Sequence, residues 1–259
     1  MPESAKDQAI VIAGRDLGES DRLITLFTAL NGKVLAVAKG AKRSRKRFAN
    51  ALEPFTRLDL VLVPPRNGTG FFRIDSAEIK GCFPVILEDV QRFFLASLCC
   101  ELVDKWTRDA DPQLELYRLL VWTFEEIARP GEARRAVLVF QARLLGHAGY
   151  APAWTRCALC GNEIRGAVAR MRLDKGGFAC AHCAPGDGFV SMGALKGLEF
   201  LQQRPLVHVG RLGITDSQFA ESWSIVRALH RYHLGEDVFS YGLIACPTKT
   251  PHAAFPTPA

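Results

Sequence analysis

Apolar residues in the first eighty positions recur with the two-residue period of strands and are broken by turn signals. Positions 9–13 form a short apolar run, 16–20 turn the chain, and 33–38, 57–63 and 71–79 read as further strands. Segment 21–28 is ambiguous. Its β-branched residues favour a strand, whereas the spacing of Leu23, Leu26, Phe27 and Leu30 also fits a helix. Asn31-Gly32 reads as a two-residue hairpin turn, which joins strands and so tips the preceding segment toward strand. Pro64-Pro65 stops the fourth run, and Asn67-Gly68 predicts another turn. Five short strands with one long loop predict a small closed β-barrel of the OB-fold type, with an SH3-like barrel as competitor.

From Pro84 the period changes to about 3.6. Apolar stripes over 84–105, 112–128, 132–147, 192–203 and 216–234 predict helices, separated by signals such as Asp111-Pro112 and Pro130-Gly131. A cysteine-bearing lobe at 151–187 interrupts them. The expected organisation is therefore α+β and multidomain. It comprises an N-terminal OB-fold barrel (1–80), a helical bundle (81–150 and 188–246) with the lobe (151–187) inserted, and a proline-bearing disordered tail (247–259). No internal repeat is evident. No apolar run reaches eighteen residues, and the N-terminus lacks the basic-then-apolar order of a signal peptide, so a cytoplasmic protein is expected.

Charge sharpens this picture. The chain of 259 residues has a formal net charge of +6, and residues 1–80 hold 14 Lys/Arg against 9 Asp/Glu, whereas the rest hold 19 against 18. The excess concentrates in Lys39-Gly-Ala-Lys-Arg-Ser-Arg-Lys-Arg47, six cations in nine positions without an acid. Such a run repels itself and is expected to stay mobile until it meets a polyanion. Beside a small barrel it points to a nucleic-acid backbone contacted without reading sequence. The candidate DNA-binding residues are Lys33, Lys39, Lys42, Arg43, Arg45, Lys46 and Arg47, with Arg15 and Arg22 from the barrel. Phe48, Phe55, Phe71 and Phe72 are read first as barrel core, and alternatively as faces for bases. Arg134, Arg135, Arg143, Arg227, His230 and Arg231 either extend the cationic track or line solvated helix faces.

Four cysteines form two CxxC pairs, Cys157/Cys160 and Cys180/Cys183. Two such pairs can supply four thiolates to one tetrahedral Zn²⁺, and four sulfur ligands leave no open position, so the predicted zinc is structural. Two disulfides or four buried thiols are the rival readings. Gly161 is free to take positive φ behind the first pair, while Ala184 holds the equivalent place behind the second. His182 is read as a surface or supporting group. A zinc-deaminase motif is missing, since neither pair follows a proline. Cys82, Cys99, Cys100 and Cys246 lack framework spacing and are expected to be core thiols in a reducing compartment.

With strands, basic loop, helices and cysteine lobe in this order, the chain resembles the RecO family of bacterial recombination mediators. The residues that carry the resemblance are Gly18-Glu-Ser-Asp-Arg-Leu23, Gly32-Lys-Val-Leu-Ala-Val-Ala-Lys-Gly-Ala-Lys-Arg43, Ala51-Leu-Glu-Pro-Phe55 and the cysteine pairs. The resemblance implies an OB-fold followed by a helical domain with an inserted zinc module, and it resolves 21–28 as a strand. It further implies a role without catalysis. Such proteins bind single- and double-stranded DNA, anneal complementary strands, and work with a RecR partner to load RecA onto strands coated by single-stranded-DNA-binding protein. The tail of that protein would dock on the helical domain. Some family members lack the cysteines, which makes zinc a structural option within the family.

An enzyme would need clustered carboxylates, an activated lysine or a phosphate-cradling GxxxxGK[ST] loop, and none is present. Glu19, Asp21 and Glu53 lie in the quoted motifs and are expected to pair with Arg22, Lys33 or Arg57, or to cap turns. The remaining alternative is a zinc-bearing adaptor or transcription regulator, which the cysteine pairs alone permit.

Overall fold

The computed structural model describes residues 4–44, 47–65, 69–186, 188–210 and 212–244. Arg45, Lys46, the Asn67-Gly68 turn, Cys246 and the 247–259 tail lie outside the described residues. Met1–Arg134 and Arg135–Ala259 form two compact units. The expected limit near residue 80 marks where strand gives way to helix, whereas compactness groups the first helices with the barrel.

In the first unit, five strands close into a barrel in the order β1-β2-β3-β5-β4. They are β1 (Ala5–Leu17), β2 (Asp21–Thr28), β3 (Gly32–Ala38), β4 (Arg57–Val63) and β5 (Phe72–Gly81). All pairs are antiparallel except the closing one, where Ala36 faces Phe72 and Val37 faces Arg73 in parallel. Strict alternation in β3 and β4 sends Val34, Ala36, Ala38, Leu58, Leu60 and Leu62 inward, where they meet Ala9, Val11, Ile24, Leu26 and Ile74. Phe48, Ala51 and Leu52 from the long β3–β4 connection join the same cluster and plug the barrel.

Three helices complete this unit: α1 (Pro84–Glu88), α2 (Val90–Trp106) and α3 (Leu114–Ala128). The expected continuous helix from Pro84 breaks at Asp89. That residue is extended (φ −112°) and its carboxylate accepts the Arg92 N–H at 2.9 Å, the geometry of an N-cap. Helix α2 packs against β1 and α3 against β2, and the outward residues Ile10 and Phe27 are buried. This burial on both faces explains the helix-like spacing of β2. Leu26 points into the barrel while Phe27 points away from it, so the pattern loses its two-residue period.

The β2–β3 turn differs from expectation. Thr28 pairs with Gly32, which leaves a three-residue loop, Ala29, Leu30 and Asn31, with Gly32 as its left-handed residue at φ +65°. The buried Asp7 accepts the Leu30 N–H at 3.1 Å and the Asn31 amide at 2.8 Å, fixing the longer turn. A Cβ on Gly32 would lie 2.0 Å from the Asp111 carbonyl oxygen, so close approach also demands glycine.

The second unit holds α4 (Ala133–His147), a three-stranded sheet of β6 (Val168–Arg172), β7 (Gly177–Ala179) and β8 (Phe189–Ser191), and then α5 (Met192–Gln203), α6 (Leu206–Val209) and α7 (Asp216–Leu234). The sheet order is β7-β6-β8. Strand β8 runs directly into α5, where the Ser191 hydroxyl accepts the Ala194 N–H at 3.1 Å, so the lobe ends in a helix cap. Helix α7 opens with a Thr215/Gln218 capping box and closes at Gly235 (φ +75°). Among the described residues no helix is long and apolar enough to cross a membrane.

Candidate nucleic-acid interface and metal centre

The basic run begins where β3 ends, and its described residues are folded against the β1–β2 turn. The Asp21 carboxylate accepts the Gly40 N–H at 2.8 Å and the Ser20 hydroxyl at 2.9 Å. The Gly40 N–H, then Ser20, with Lys39 adding its charge, hold the Asp21 carboxyl below the ordinary aspartate value. Lys42 donates its backbone N–H to the Ser20 carbonyl at 3.1 Å, and its ammonium reaches Asp16 at 2.7 Å and the Gly18 carbonyl at 3.1 Å. At the far end, Arg22 pairs with Glu53 at 2.8 Å, and Phe55 donates its N–H to the Val11 carbonyl at 2.9 Å. Phe55 is held at φ +67°, with its ring edge-on to Phe93 (5.4 Å) and Phe124 (5.6 Å) of α2 and α3. The described start of the run is thus held by these bonds, and the β3–β4 connection that carries it is tied again at Glu53 and Phe55.

This latch sorts the predicted cations. Lys39, Arg43 and Arg47 are exposed, and Arg47 lies over the Phe48 ring at 4.7 Å. Arg22 and Lys42 are occupied by Glu53 and Asp16. Arg15 is exposed on β1. Lys33 stands apart: only 12% of its side chain is exposed, and it binds Asp104 (3.1 Å), Asp109 (3.4 Å) and the Asp104 carbonyl (2.7 Å). Its ammonium fastens β3 to the last turn of α2 and to the segment that follows it. The expected pairing of Glu53 with Arg22 is present. Lys33 takes Asp104 and Asp109 as partners, residues more than seventy positions away for which the sequence offered no signal.

Of the phenylalanines, Phe48 and Phe55 are buried, Phe72 packs on the barrel core, and Phe71 is 49% exposed. In the second unit the suggested track of cations is largely committed to structure. Arg135 donates to the Gly210 carbonyl, Arg143 to the carbonyls of Leu201 and Arg204, and Arg227 binds Asp237 at 2.6 Å. His230 is fully buried, and desolvation lowers its pKa to about 3, so it cannot belong to a cationic surface.

The four predicted cysteine ligands come together. Their sulfurs all lie within 4.8 Å of one another. A tetrahedral Zn²⁺ with bonds near 2.3 Å sets sulfurs about 3.8 Å apart, so a small inward shift would close the site. Gly161 takes φ +73° and donates its N–H to the Cys157 carbonyl at 2.8 Å, while Ala184 donates to the Cys180 carbonyl at 3.1 Å. The Cys180 N–H points at the Cys157 sulfur, 3.4 Å away. Burial pushes the Cys157 thiol up, but N–H groups of Cys180, Cys160 and Leu159 outweigh it and bring the value to about 6. Cys183 is pushed up to about 12 by the hydrogen bonds its thiol makes to Cys180 and Cys160. Residues so arranged fit a thiophilic metal ion. Exposed His182 lies outside the cluster.

Trp154 anchors the lobe: it stacks on Phe178 (5.8 Å) and donates to Gln202 at 2.7 Å, which in turn donates to the Ala142 carbonyl. Cys99 and Cys100 are core thiols as expected, whereas Cys82 is exposed.

Comparison with known proteins gives a consistent result. Residues 1–83 match the family model described as Recombination protein O N terminal, and residues 87–241 the model described as Recombination protein O C terminal. A DNA repair protein RecO of Myxococcus xanthus is 34% identical over 246 residues, covering 94% of this chain and 98% of that protein. Proteins of the same name from Anaeromyxobacter dehalogenans (34%, 90% and 92% covered) and Geobacter metallireducens (40%, 70% and 73% covered) are similar as well.

Proposed function

Because the chain belongs to the RecO family, we propose that it acts in DNA repair as a recombination mediator that works by binding and not by catalysis. It holds single- and double-stranded DNA through phosphates, without reading sequence. Lys39, Arg43, Arg45, Lys46 and Arg47 supply the contacts, with Arg15 flanking them. Arg22 and Lys42 join only when a phosphate displaces Glu53 or Asp16, and Lys33 acts as a structural fastener. The observation that carries this reading is the exposure of Lys39, Arg43 and Arg47 on a flap whose neighbours Asp16, Asp21 and Glu53 already have other partners.

Neutralising phosphates on one basic surface lets two complementary strands approach without full mutual repulsion, so annealing follows from binding. Holding a coated strand through DNA and protein contacts at once raises the effective concentration of each. On this account the protein, with a RecR partner and the tail of single-stranded-DNA-binding protein, helps place RecA on coated strands in the bacterial cytoplasm. One structural Zn²⁺, bound by Cys157, Cys160, Cys180 and Cys183, would hold the lobe together through four thiolates with no position left for substrate.

The test is annealing of complementary oligonucleotides pre-coated with single-stranded-DNA-binding protein, with wild type and with Lys39, Arg43 and Arg47 all changed to Ala. Acceleration by wild type and its loss in the variant, at unchanged folding, support the reading. Binding to one duplex sequence alone would favour a transcription regulator, and DNA cleavage with Mg²⁺ an enzyme.

A further inference from the structure

We infer that the cysteine lobe is an oxidation site, at which hydrogen peroxide converts Cys157/Cys160 and Cys180/Cys183 into two disulfides, releasing the metal and loosening the lobe. This goes beyond the proposed structural Zn²⁺ and rests on that reading.

Oxidation to a disulfide needs one sulfur that an oxidant can reach and a second sulfur beside it. Cys99 and Cys100 are buried, and their Cα atoms, one peptide apart at about 3.8 Å, are closer than a disulfide ordinarily spans. Cys82 is exposed but stands outside the sulfur cluster. Among the described cysteines, the four of the lobe combine both properties. Their sulfurs lie within 4.8 Å of one another, and side-chain rotation closes the rest of the way to an S–S bond of about 2.05 Å.

Exposure assigns the roles. Cys160 is exposed, Cys180 and Cys183 are half-buried, and Cys157 is buried, so peroxide meets Cys160 first and Cys157 resolves it. Each pair sits on one tight turn. Gly161 donates its N–H to the Cys157 carbonyl at 2.8 Å, and the Cys183 and Ala184 N–H groups meet the Cys180 carbonyl at 3.1 Å. Residues three apart on such a turn carry their side chains on one side, so the bridges form within the pairs.

The Cys160 thiolate attacks one peroxide oxygen, the O–O bond breaks, and the sulfur takes an OH while the other oxygen leaves as hydroxide. The Cys157 thiolate then attacks that sulfur, the S–S bond forms, and a second hydroxide leaves. Two protons from solvent turn both hydroxides into water, and the two electrons lost by sulfur are those that reduce the peroxide. A second peroxide does the same at Cys180/Cys183. Disulfide sulfurs are no longer thiolates, so the first bridge already halves the ligand set.

The bridges do not replace the metal as a staple. A disulfide inside a CxxC pair closes a loop of four residues and ties neither knuckle to the other, whereas one ion bound by all four sulfurs ties both. The lobe has little else: β6, β7 and a core of Trp154, Ile164, Ala169 and Phe178. Below about 40 residues such a unit ordinarily needs a metal or cross-links. Its opening reaches the helices, because Trp154 donates to Gln202 (2.7 Å) and Thr155 to Glu199 (3.1 Å) of α5, and the Ser191 N–H to Glu221 (2.6 Å) of α7.

The experiment titrates the zinc-loaded full chain, as wild type and as Cys82→Ser/Cys246→Ser, with hydrogen peroxide. A chromogenic chelator reads released zinc, peptide mass mapping reads the bridges, and tryptophan fluorescence reads the lobe. The expected result is one zinc lost per chain, with the Cys157–Cys160 bridge formed before Cys180–Cys183 and fluorescence shifting in step. Dithiothreitol with added Zn²⁺ should restore metal and spectrum. Zinc retained under excess peroxide, bridges across the pairs, or loss through sulfinic acids that dithiothreitol does not reverse would each overturn the inference while structural zinc stands. A chain that takes up no zinc overturns the zinc reading and the oxidation site together, and leaves DNA binding by the flap untouched. Wild type carries the test if the double variant fails to fold.

Discussion

Changing Lys39, Arg43 and Arg47 to Ala removes the exposed, described flap cations that take no part in the latch. The latch consists of Asp21 with the Gly40 N–H, Lys42 with Asp16, and Arg22 with Glu53, and none of these involves a replaced side chain. Phe48, Ala51 and Leu52 keep plugging the barrel, so the variant should fold as wild type does. If the flap of wild type neutralises about four phosphates, log affinity for single strands falls with log salt at a slope of about −2.8, or 0.7 per phosphate. A fourfold rise in salt then weakens binding about fiftyfold. With one or two phosphates still contacted, the slope drops to between about −0.7 and −1.4, and the same rise in salt costs only about three- to sevenfold.

Anisotropy titrations of labelled oligo-dT at several salt concentrations measure both slopes directly. Lys33→Met is the internal control. Lys33 is bound by Asp104 and Asp109, so its loss should leave the slope where it was. An unaltered slope in the triple variant would remove the flap from the binding surface. A slope flattened equally by Lys33→Met would show that exposure and pairing do not decide which cations meet phosphate.

Zinc removal by chelation, or Cys157→Ser, should shift Trp154 fluorescence and raise hydrogen exchange within 151–186 while oligo-dT affinity stays within about twofold; loss of DNA binding with an intact barrel would make the lobe itself a DNA contact. Gly32→Ala forces a left-handed alanine against the Asp111 carbonyl, and chemical denaturation should show a loss of about 2–4 kcal/mol. His230, neutral and buried, has its pKa lowered from 6.5 to about 3. Above pH 6.5 it is neutral in both states and costs nothing, but as pH falls below 6.5 only the unfolded chain takes up the proton. Its contribution to stability should therefore drop by about 2 kcal/mol between pH 7 and pH 5, a decline that His230→Gln should flatten in pH-dependent thermal unfolding.

Elements whose residues answer to one neighbour layer were legible in the sequence. Strands β3 and β4 face the barrel core on one side only, so strict alternation announced them. Strand β2 has Leu26 on the core and Phe27 buried on its outer side, and this two-sided burial gave it the look of a helix. The cysteine site was legible because four ligands of one type sit at spacings that thiolate chemistry restricts. Asp89 was hidden inside a helical stripe, although an aspartate before Val90-Gln-Arg is an N-cap signal. The β2–β3 turn was misjudged because Asp7, more than twenty residues away, adds the hydrogen bonds that favour a longer loop. Local dipeptide rules do not carry such partners.

The same distinction between local and distant causes separates the cations. A run of six positives without an acid reads as one uniform patch, yet its members differ in what the fold has done with them. Within the run Lys42 is matched with Asp16; beside it Arg22 is matched with Glu53, a pair that joins the first and third of the N-terminal motifs that carried the family resemblance. The Gly18–Leu23 segment supplies Asp21 to the Gly40 N–H and the Ser20 carbonyl to Lys42, while the segment ending at Phe55 supplies Glu53 to Arg22. Those motifs therefore describe how a basic flap is held, and the side chains proposed to touch DNA are the ones the latch leaves over. Described residues tied down on either side of Arg45 and Lys46 lose less conformational entropy when they meet a phosphate backbone than those of an untied loop would. Affinity then depends on few contacts, and few contacts mean that salt, or a competing strand, can reverse them.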